Sequence, residues 1–326
     1  MLSEFQLIDR YFKRAPRAGG PVKLGVGDDC ALLQPPAGET LAISTDMLVE
    51  GRHFFAGTDA YALGYKALAV NLSDLAAMGA QPMGFTLAMA LPAADPTWLE
   101  LFSSGLMTLA DAHHIELIGG DTTRGPLTLS ITVFGSVSLA QALRRSGARA
   151  GDELWISGTL GDARLALAQL QGDLDQQTAL DAASLATASE RLHRPTPRVS
   201  LGLALRGIAT SAIDISDGLL GDLGHVLDAS RLGAIVYAQA LPIGIALSRR
   251  DRQQQLDFAL NGGDDYELCF SAPADRHDAV LAAANSSQTP VSCIGMLRAE
   301  PGISLLDDHG LPLSVMSHSF DHFAQR

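Results

Sequence analysis

Six short acidic segments constrain this chain more than any other feature. They read GVGDDCALL at 25–33, ISTD at 43–46, NLSDLAAMGA at 71–80, GGDTTRGP at 119–126, DISDG at 214–218 and GGDDYEL at 262–268. Each sets aspartate beside glycine, serine or threonine, at or near the end of an apolar run. A fold that gathers so many carboxylates must supply positive charge. Two unit charges 4 Å apart repel by about 1 kcal/mol in water and by about 4 kcal/mol at an effective dielectric near 20. Hard divalent cations carrying polyphosphate are the natural neutralisers, and magnesium is usually held by a few carboxylates plus substrate phosphates.

Taken singly, each segment also reads as local structure. Adjacent Asp28 and Asp29 fit an Asx turn. ISTD fits a strand end, with Ser44 and Asp46 on one face and Thr45 on the other, where it could offer its carbonyl. GGDTTRGP follows the short strand ELI and fits a hairpin turn, although its glycine pair also lets backbone approach a ligand. In DISDG, Asp214 and Ser216 share a face, and Asp217 fits a helix N-cap. Asp74 is harder to dismiss. It lies in a very apolar helical stretch, three residues after Asn71 on the same face, where an unpartnered carboxylate is costly. One shared acidic cleft accounts for all six segments at once.

Composition narrows the class. With 326 residues, 47% hydrophobic and 18% charged, the chain reads as a well-packed globule of one large or two ordinary domains. A net charge of −13 argues against nucleic acid and anionic membranes as partners. Lysine occurs only at 13, 23 and 66, so cationic phosphate contacts would be mostly arginine forks. Three widely spaced cysteines without a CxxC fit a reducing cytoplasm, and no signal core opens the chain. There is no P-loop, kinase HRD/DFG set, HExxH or GxSxG elbow.

The patterning predicts an opening helix with capping-box spacing at Ser3 and Gln6, a strand over 40–46, a helix over 59–78 stopped by Gly79, a strand over 83–91 and a helix over 97–113. ELIGG and LTLSITVFGSV read as strands. The segment QALRRSGARAGD at 140–151 lacks an apolar period and places a domain boundary, giving domains 1–140 and 141–326. The second half restarts with strand DELWISG and alternates strands and helices; 171–178 and 191–198 read as loops.

In this order and spacing the segments resemble the thiamine-monophosphate kinase family, within the aminoimidazole-ribonucleotide-synthetase superfamily. STDMLVEGRHF, YKALAVNLSDLAAMGA, LIGGDTTRGP and AIDISDGL carry the resemblance, which runs from SEFQLIDRYF to the closing FDHF. It implies an α/β plus α+β fold. A mixed α/β N-terminal domain pairs its sheet across a homodimer, and an α+β C-terminal domain completes the nucleotide cleft. It implies several magnesium ions, ATP as co-substrate and direct phosphoryl transfer to thiamine monophosphate, for thiamine diphosphate synthesis.

By matching motif, the resemblance implies that Asp29, Ser44, Thr45, Asp46, Asp74, Asp121, Asp214 and Asp217 hold metal, and that Gly120, Asp121, Arg145 and Ser216 contact ATP. It implies that His53, Asp264 and Phe320 meet the thiamine phosphate. Relatives that read GGEDYEL carry glutamate where Asp264 stands, so the contact here is direct or bridged by water. No general base is assigned. A phosphate acceptor, with its second pKa about 6, is already ionised near neutral pH.

Overall fold

The computed structural model describes residues 4–174, 176 and 178–313. The chain divides into two compact units: the first holds residues through Leu75 and Ala80–Ala142, the second Ala76–Gly79 and Leu143 onward. Among the described residues no helix is long and apolar enough to cross a membrane.

The first unit runs α1 (Glu4–Tyr11), β1 (Val22–Leu24), β2 (Leu32–Leu33), β3 (Thr40–Val49), α2 (Ala60–Ala77), β4 (Gln81–Leu91), α3 (Pro96–Ala112), β5 (Glu116–Arg124) and β6 (Thr128–Val137). Its main sheet has the order β3-β6-β4-β5, antiparallel except for the β4–β5 pair. The expected helix over 59–78 is α2. Its alanines and leucines favour helix and are apolar almost all round, so it is buried. Gly79, at φ 60°, stops it: the Gly79 and Ala80 amides return to the carbonyls of Ala76 and Leu75 at 2.9 and 2.8 Å. Asp95 caps α3 by accepting from the Thr97 amide at 2.9 Å, with Pro96 in the first turn.

α2 and α3 meet through bare backbone. A Cβ built on Gly64 would lie 2.1 Å from the Phe102 carbonyl oxygen, and one on Gly105 would lie 1.9 Å from that of Tyr61. Glycine at both places lets the helices approach without side chains between them. On the same two helices Leu68, Leu99, Phe102 and Leu106 are fully buried.

The second unit runs β7 (Glu153–Ser157), α4 (Asp162–Gln171), α5 (Ala182–His193), α6 (Val199–Ala204), β8 (Ser211–Asp214), α7 (Leu219–Ser230), β9 (Gly233–Tyr237), α8 (Arg252–Asn261), β10 (Leu268–Ala272), α9 (His277–Ser286), β11 (Val291–Arg298) and β12 (Gly302–Leu306). The strands form one sheet, β12-β9-β11-β7-β10-β8, antiparallel except for β12–β9. Buried Trp155 and Phe270 stack on adjacent strands with ring centroids 6.3 Å apart.

Three of the element boundaries read from the sequence change. ISTD lies in the middle of β3, since the strand continues to Val49. GGDTTR is itself strand, the second half of β5, not a hairpin turn. Residues 191–193 end helix α5 instead of belonging to a loop. The capping box expected at Ser3 lies outside the described residues.

Candidate active site

The first acidic cluster joins β3 to α2. Strand alternation turns Ser44 and Asp46 to one side, both half-buried, and leaves Thr45 exposed on the other. The Ser44 hydroxyl donates to Asp74 Oδ2 at 2.6 Å, and the Asp46 amide donates to Asn71 Oδ1 at 3.1 Å. Asn71 in turn donates to the Ala67 carbonyl within α2 at 3.0 Å. The polar stripe of an otherwise apolar helix therefore faces the strand that carries ISTD. On the opposite side, the Thr45 and Thr132 hydroxyls share a hydrogen bond of 2.8 Å.

His53 follows on the turn after β3. Its Nδ1 accepts from the Val49 amide at 3.0 Å, so the proton of the neutral ring is on Nε2.

The second cluster surrounds a cavity of 560 Å³ in the same unit. α1 and the residues after it contribute Ile8, Phe12 and Lys13; the glycine-rich loop contributes Asp28 and Asp29, and β5 contributes Gly120 and Asp121. Asp28 folds back on the loop, its Oδ1 accepting from the Asp29 amide at 2.8 Å. β5 steps out of register with β4 just before the motif, at the Phe85–Thr86 level, and such bulges re-aim the residues that follow. A Cβ on Gly120 would lie 1.9 Å from the Leu87 carbonyl oxygen, so only glycine lets the strand press onto β4 here. Asp121, next along, is exposed.

The third cluster lies in the second unit. Asp214 ends β8 and is buried. The strand stops there, so Ser216 lies beyond it and strand alternation does not relate the two. Asp217 is not the N-cap of α7; Gly218 occupies that position. Asp222, in the first turn of α7, does the capping work by accepting from the Ser216 and Asp217 amides at 3.1 and 3.0 Å. Burial pushes its carboxyl up to about 6, against those amide bonds and with the Asp217 charge adding to the rise.

Asp264 is tied to the same loop, its amide donating to the Ser216 carbonyl at 2.9 Å. Its neighbour Asp265 is fully enclosed, and burial pushes that carboxyl well above the usual range, against the Arg191 charge and the Gly161 amide. Arg145 is exposed, and its carbonyl accepts from Ser230 Oγ at 3.1 Å. Phe320 lies outside the described residues.

Asp222 and Asp28 were not singled out from the sequence as site residues. The signal for Asp222 was its place in the first turn of a helix that follows DISDG, where a carboxylate meets free amides.

Among the described residues no three carboxylate, imidazole or thiol groups stand together as a ready-made metal cage. The donors concerned, Ser44 bonded to Asp74, and Asp29 and Asp121 lining one cavity, are all oxygen. That donor set fits magnesium, which takes one or two carboxylates and completes its shell with water and phosphate oxygens.

Comparison with known proteins follows the same division. Residues 27–137 match the N-terminal domain of the AIR synthase related protein family, and residues 149–308 match its C-terminal domain. The thiamine-monophosphate kinase of Escherichia coli is 49% identical over 98% of both chains. A crystal structure of the thiamine-monophosphate kinase of Stenotrophomonas maltophilia superposes with a TM-score of 0.84 at 51% identity, covering 93% of this chain and 96% of that one. The structure of AaThiL complexed with AMPPCP and TMP superposes with a TM-score of 0.76 at 26% identity, covering 98% and 97%. With its acidic segments on β3, α2, β5 and the β8–α7 loop, and with identity at this level over nearly its whole length, the chain belongs to the thiamine-monophosphate kinase family.

Proposed function

We propose that the chain transfers the γ-phosphoryl group of ATP to the phosphate of thiamine monophosphate, giving thiamine diphosphate and ADP. The observation that carries this reading is 49% identity over 98% of the chain to a kinase of that specificity, in a chain whose ISTD and NLSDLAAMGA segments are joined by Ser44 and Asp74 and whose GVGDDCALL and GGDTTRGP segments line one cavity. AaThiL, of the same fold, was solved with both AMPPCP and TMP.

Asp29, Ser44, Thr45, Asp46, Asp74, Asp121, Asp214 and Asp217 would hold magnesium, Thr45 through its carbonyl. Bound there, the metal would neutralise charge on phosphate oxygens. Gly120 offers backbone to a phosphate at close range, and Arg145 and Ser216 offer charge and a hydroxyl to the nucleotide. His53, Asp264 and Phe320 would meet the acceptor, His53 by donating from Nε2. An oxygen of the acceptor phosphate attacks the γ-phosphorus as the bond to the β–γ bridging oxygen breaks. The attacking acceptor oxygen is already ionised near neutral pH, so no residue need act as general base.

The reading is tested by incubating purified chain with ATP, magnesium and thiamine monophosphate and separating products. Thiamine diphosphate that disappears with chelator supports it. ATP turnover with other small phosphates, and none with thiamine monophosphate, overturns the acceptor. Arg145→Ala should raise the KM for ATP about tenfold, the scale of one charge-assisted contact. An unchanged KM removes Arg145 from the nucleotide.

We further propose a cytoplasmic homodimer built on the outer face of β3. Leu41, Ile43 and Met47 are 41%, 58% and 56% exposed and share one face of the strand, an apolar stripe on an edge strand. Ile43→Asp should halve the mass seen by sedimentation. A monomeric parent chain would rule out the dimer.

A further inference from the structure

The turn that carries Asp264 is held in an unusual backbone by main-chain bonds and by a buried ion cluster, the latter made of residues that take no part in the chemistry above. Asp264 and Tyr266 have φ of 68° and 50°, in the left-handed region that side chains other than glycine seldom enter. Such residues persist only where their surroundings over-determine them. Here the surroundings do so from two directions.

On one side the backbone is laced to the loop after β8. The Asp264 amide donates to Ser216 O at 2.9 Å, the Tyr266 amide to Ile215 O at 2.8 Å, and the Ile215 amide returns to Glu267 O at 2.8 Å. On the other side, alternate side chains are buried. The Asp265 carboxylate accepts from the Gly161 amide with both oxygens at 3.0 Å.

The Glu267 carboxylate, 0% exposed, accepts from Ser157 Oγ at 2.6 Å, from Arg191 at 2.7 Å, and from Nε and Nη2 of Arg198, each at 2.6 Å. The same Arg191 nitrogen donates to the Asp265 carbonyl at 3.0 Å, so one guanidinium grips both the turn and its anchor. A Cβ on Gly158 would lie 2.0 Å from Glu267 Oε1, which shows how little room the cluster leaves. Asp264 and Tyr266, the intervening residues, are half-buried, with Tyr266 Oη 3.4 Å from Asp264 Oδ1.

A buried ion cluster of this kind is weak evidence for stability, because desolvation offsets most of its attraction; here its Arg191 also grips the main chain of the left-handed turn. We propose that Glu267, with Arg191 and Arg198, is a positioning device that holds the Asp264 turn in the backbone needed to receive the phosphate acceptor. The inference rests on the reading that Asp264 meets the acceptor.

The test separates the two substrates. Arg198→Lys keeps the positive charge and loses the fork to Glu267. Glu267→Gln keeps the shape and loses the negative charge. Each should raise the KM for thiamine monophosphate about tenfold while the KM for ATP stays within about twofold of the parent. Thermal melting is read alongside. If Glu267→Gln does not fold, Arg198→Lys decides, because its cluster keeps both signs of charge.

A folded Arg198→Lys variant with unchanged KM for the acceptor overturns the proposal. So does an equal rise for both substrates, or a lower melting temperature with no kinetic change. If the parent chain uses a different phosphate acceptor, the acceptor assignment fails on its own, and the same comparison is run with that acceptor.

Discussion

Asp74→Asn and Asp121→Asn should each lower kcat by about 100-fold or more, with the protein still folded. The size follows from what is removed. Phosphoryl transfer depends on positioning and charge stabilisation more than on covalent chemistry, and losing one preorganised electrostatic contact commonly costs about 10²–10³ in kcat. The fold should survive because neither change alters shape. At position 74 the asparagine carbonyl can still accept from Ser44, whose hydroxyl lies 2.6 Å from Asp74 Oδ2, and residue 121 is exposed on β5. Single-turnover and steady-state rates on both variants, with circular dichroism as the control for folding, check the expectation. Turnover near the parent rate in both would remove these carboxylates from the site.

Gly105→Ala should destabilise the first unit by about 3 kcal/mol, the upper part of the range for overpacking. The added methyl would sit 1.9 Å from a backbone oxygen of Tyr61, and backbone cannot rotate out of the way. Such a loss is a large share of the roughly 5–15 kcal/mol that holds a domain together. The same substitution at Gly224 should do the opposite. That glycine lies in α7, and nothing comes within 4 Å of the place its methyl would occupy, so alanine gains helix propensity of about 0.5–1 kcal/mol at no steric cost. Urea denaturation of both variants reads the two signs directly. A Gly105→Ala midpoint at or above the parent's would mean that α2 and α3 do not meet as closely as described.

Much of this is visible in the residues themselves, for reasons that differ by element. α2 and its stop at Gly79 are legible because a long alanine- and leucine-rich run followed by glycine has few other solutions. β5 reads too short from sequence. Glycine and aspartate disfavour strand, and only pairing with Leu87, Ala88 and Met89 of β4 carries GGDTTR through as strand. α5 is hard to see because its buried side is small: Ser184, Ala188 and Leu192 recur every fourth residue but offer little apolar contrast.

At the site, the partnership of Asn71 and Asp74 follows from helical spacing, though its strand partner β3 does not. The cavity between the glycine-rich loop and β5 is not legible either, since it joins residues about ninety positions apart. Glu267 and its arginines are likewise hidden, because nothing local distinguishes a buried ion cluster from exposed charge.

The acidic segments are fastened in two ways, and these leave different room for heritable change. At Gly120 the fastening is main chain against main chain, so any replacement dislodges the strand and is lost with the fold. The turn at 262–267 has main-chain bonds to the loop after β8, but side chains fasten it as well, those of Asp265, Glu267, Arg191 and Arg198. Substitution at the half-buried Asp264 or Tyr266 can reshape the turn and leave both sheets standing. A lineage drifting toward a new acceptor would therefore accumulate its differences in and around this turn. The Gly120 strand, locked by its neighbour's backbone, would stay as it is.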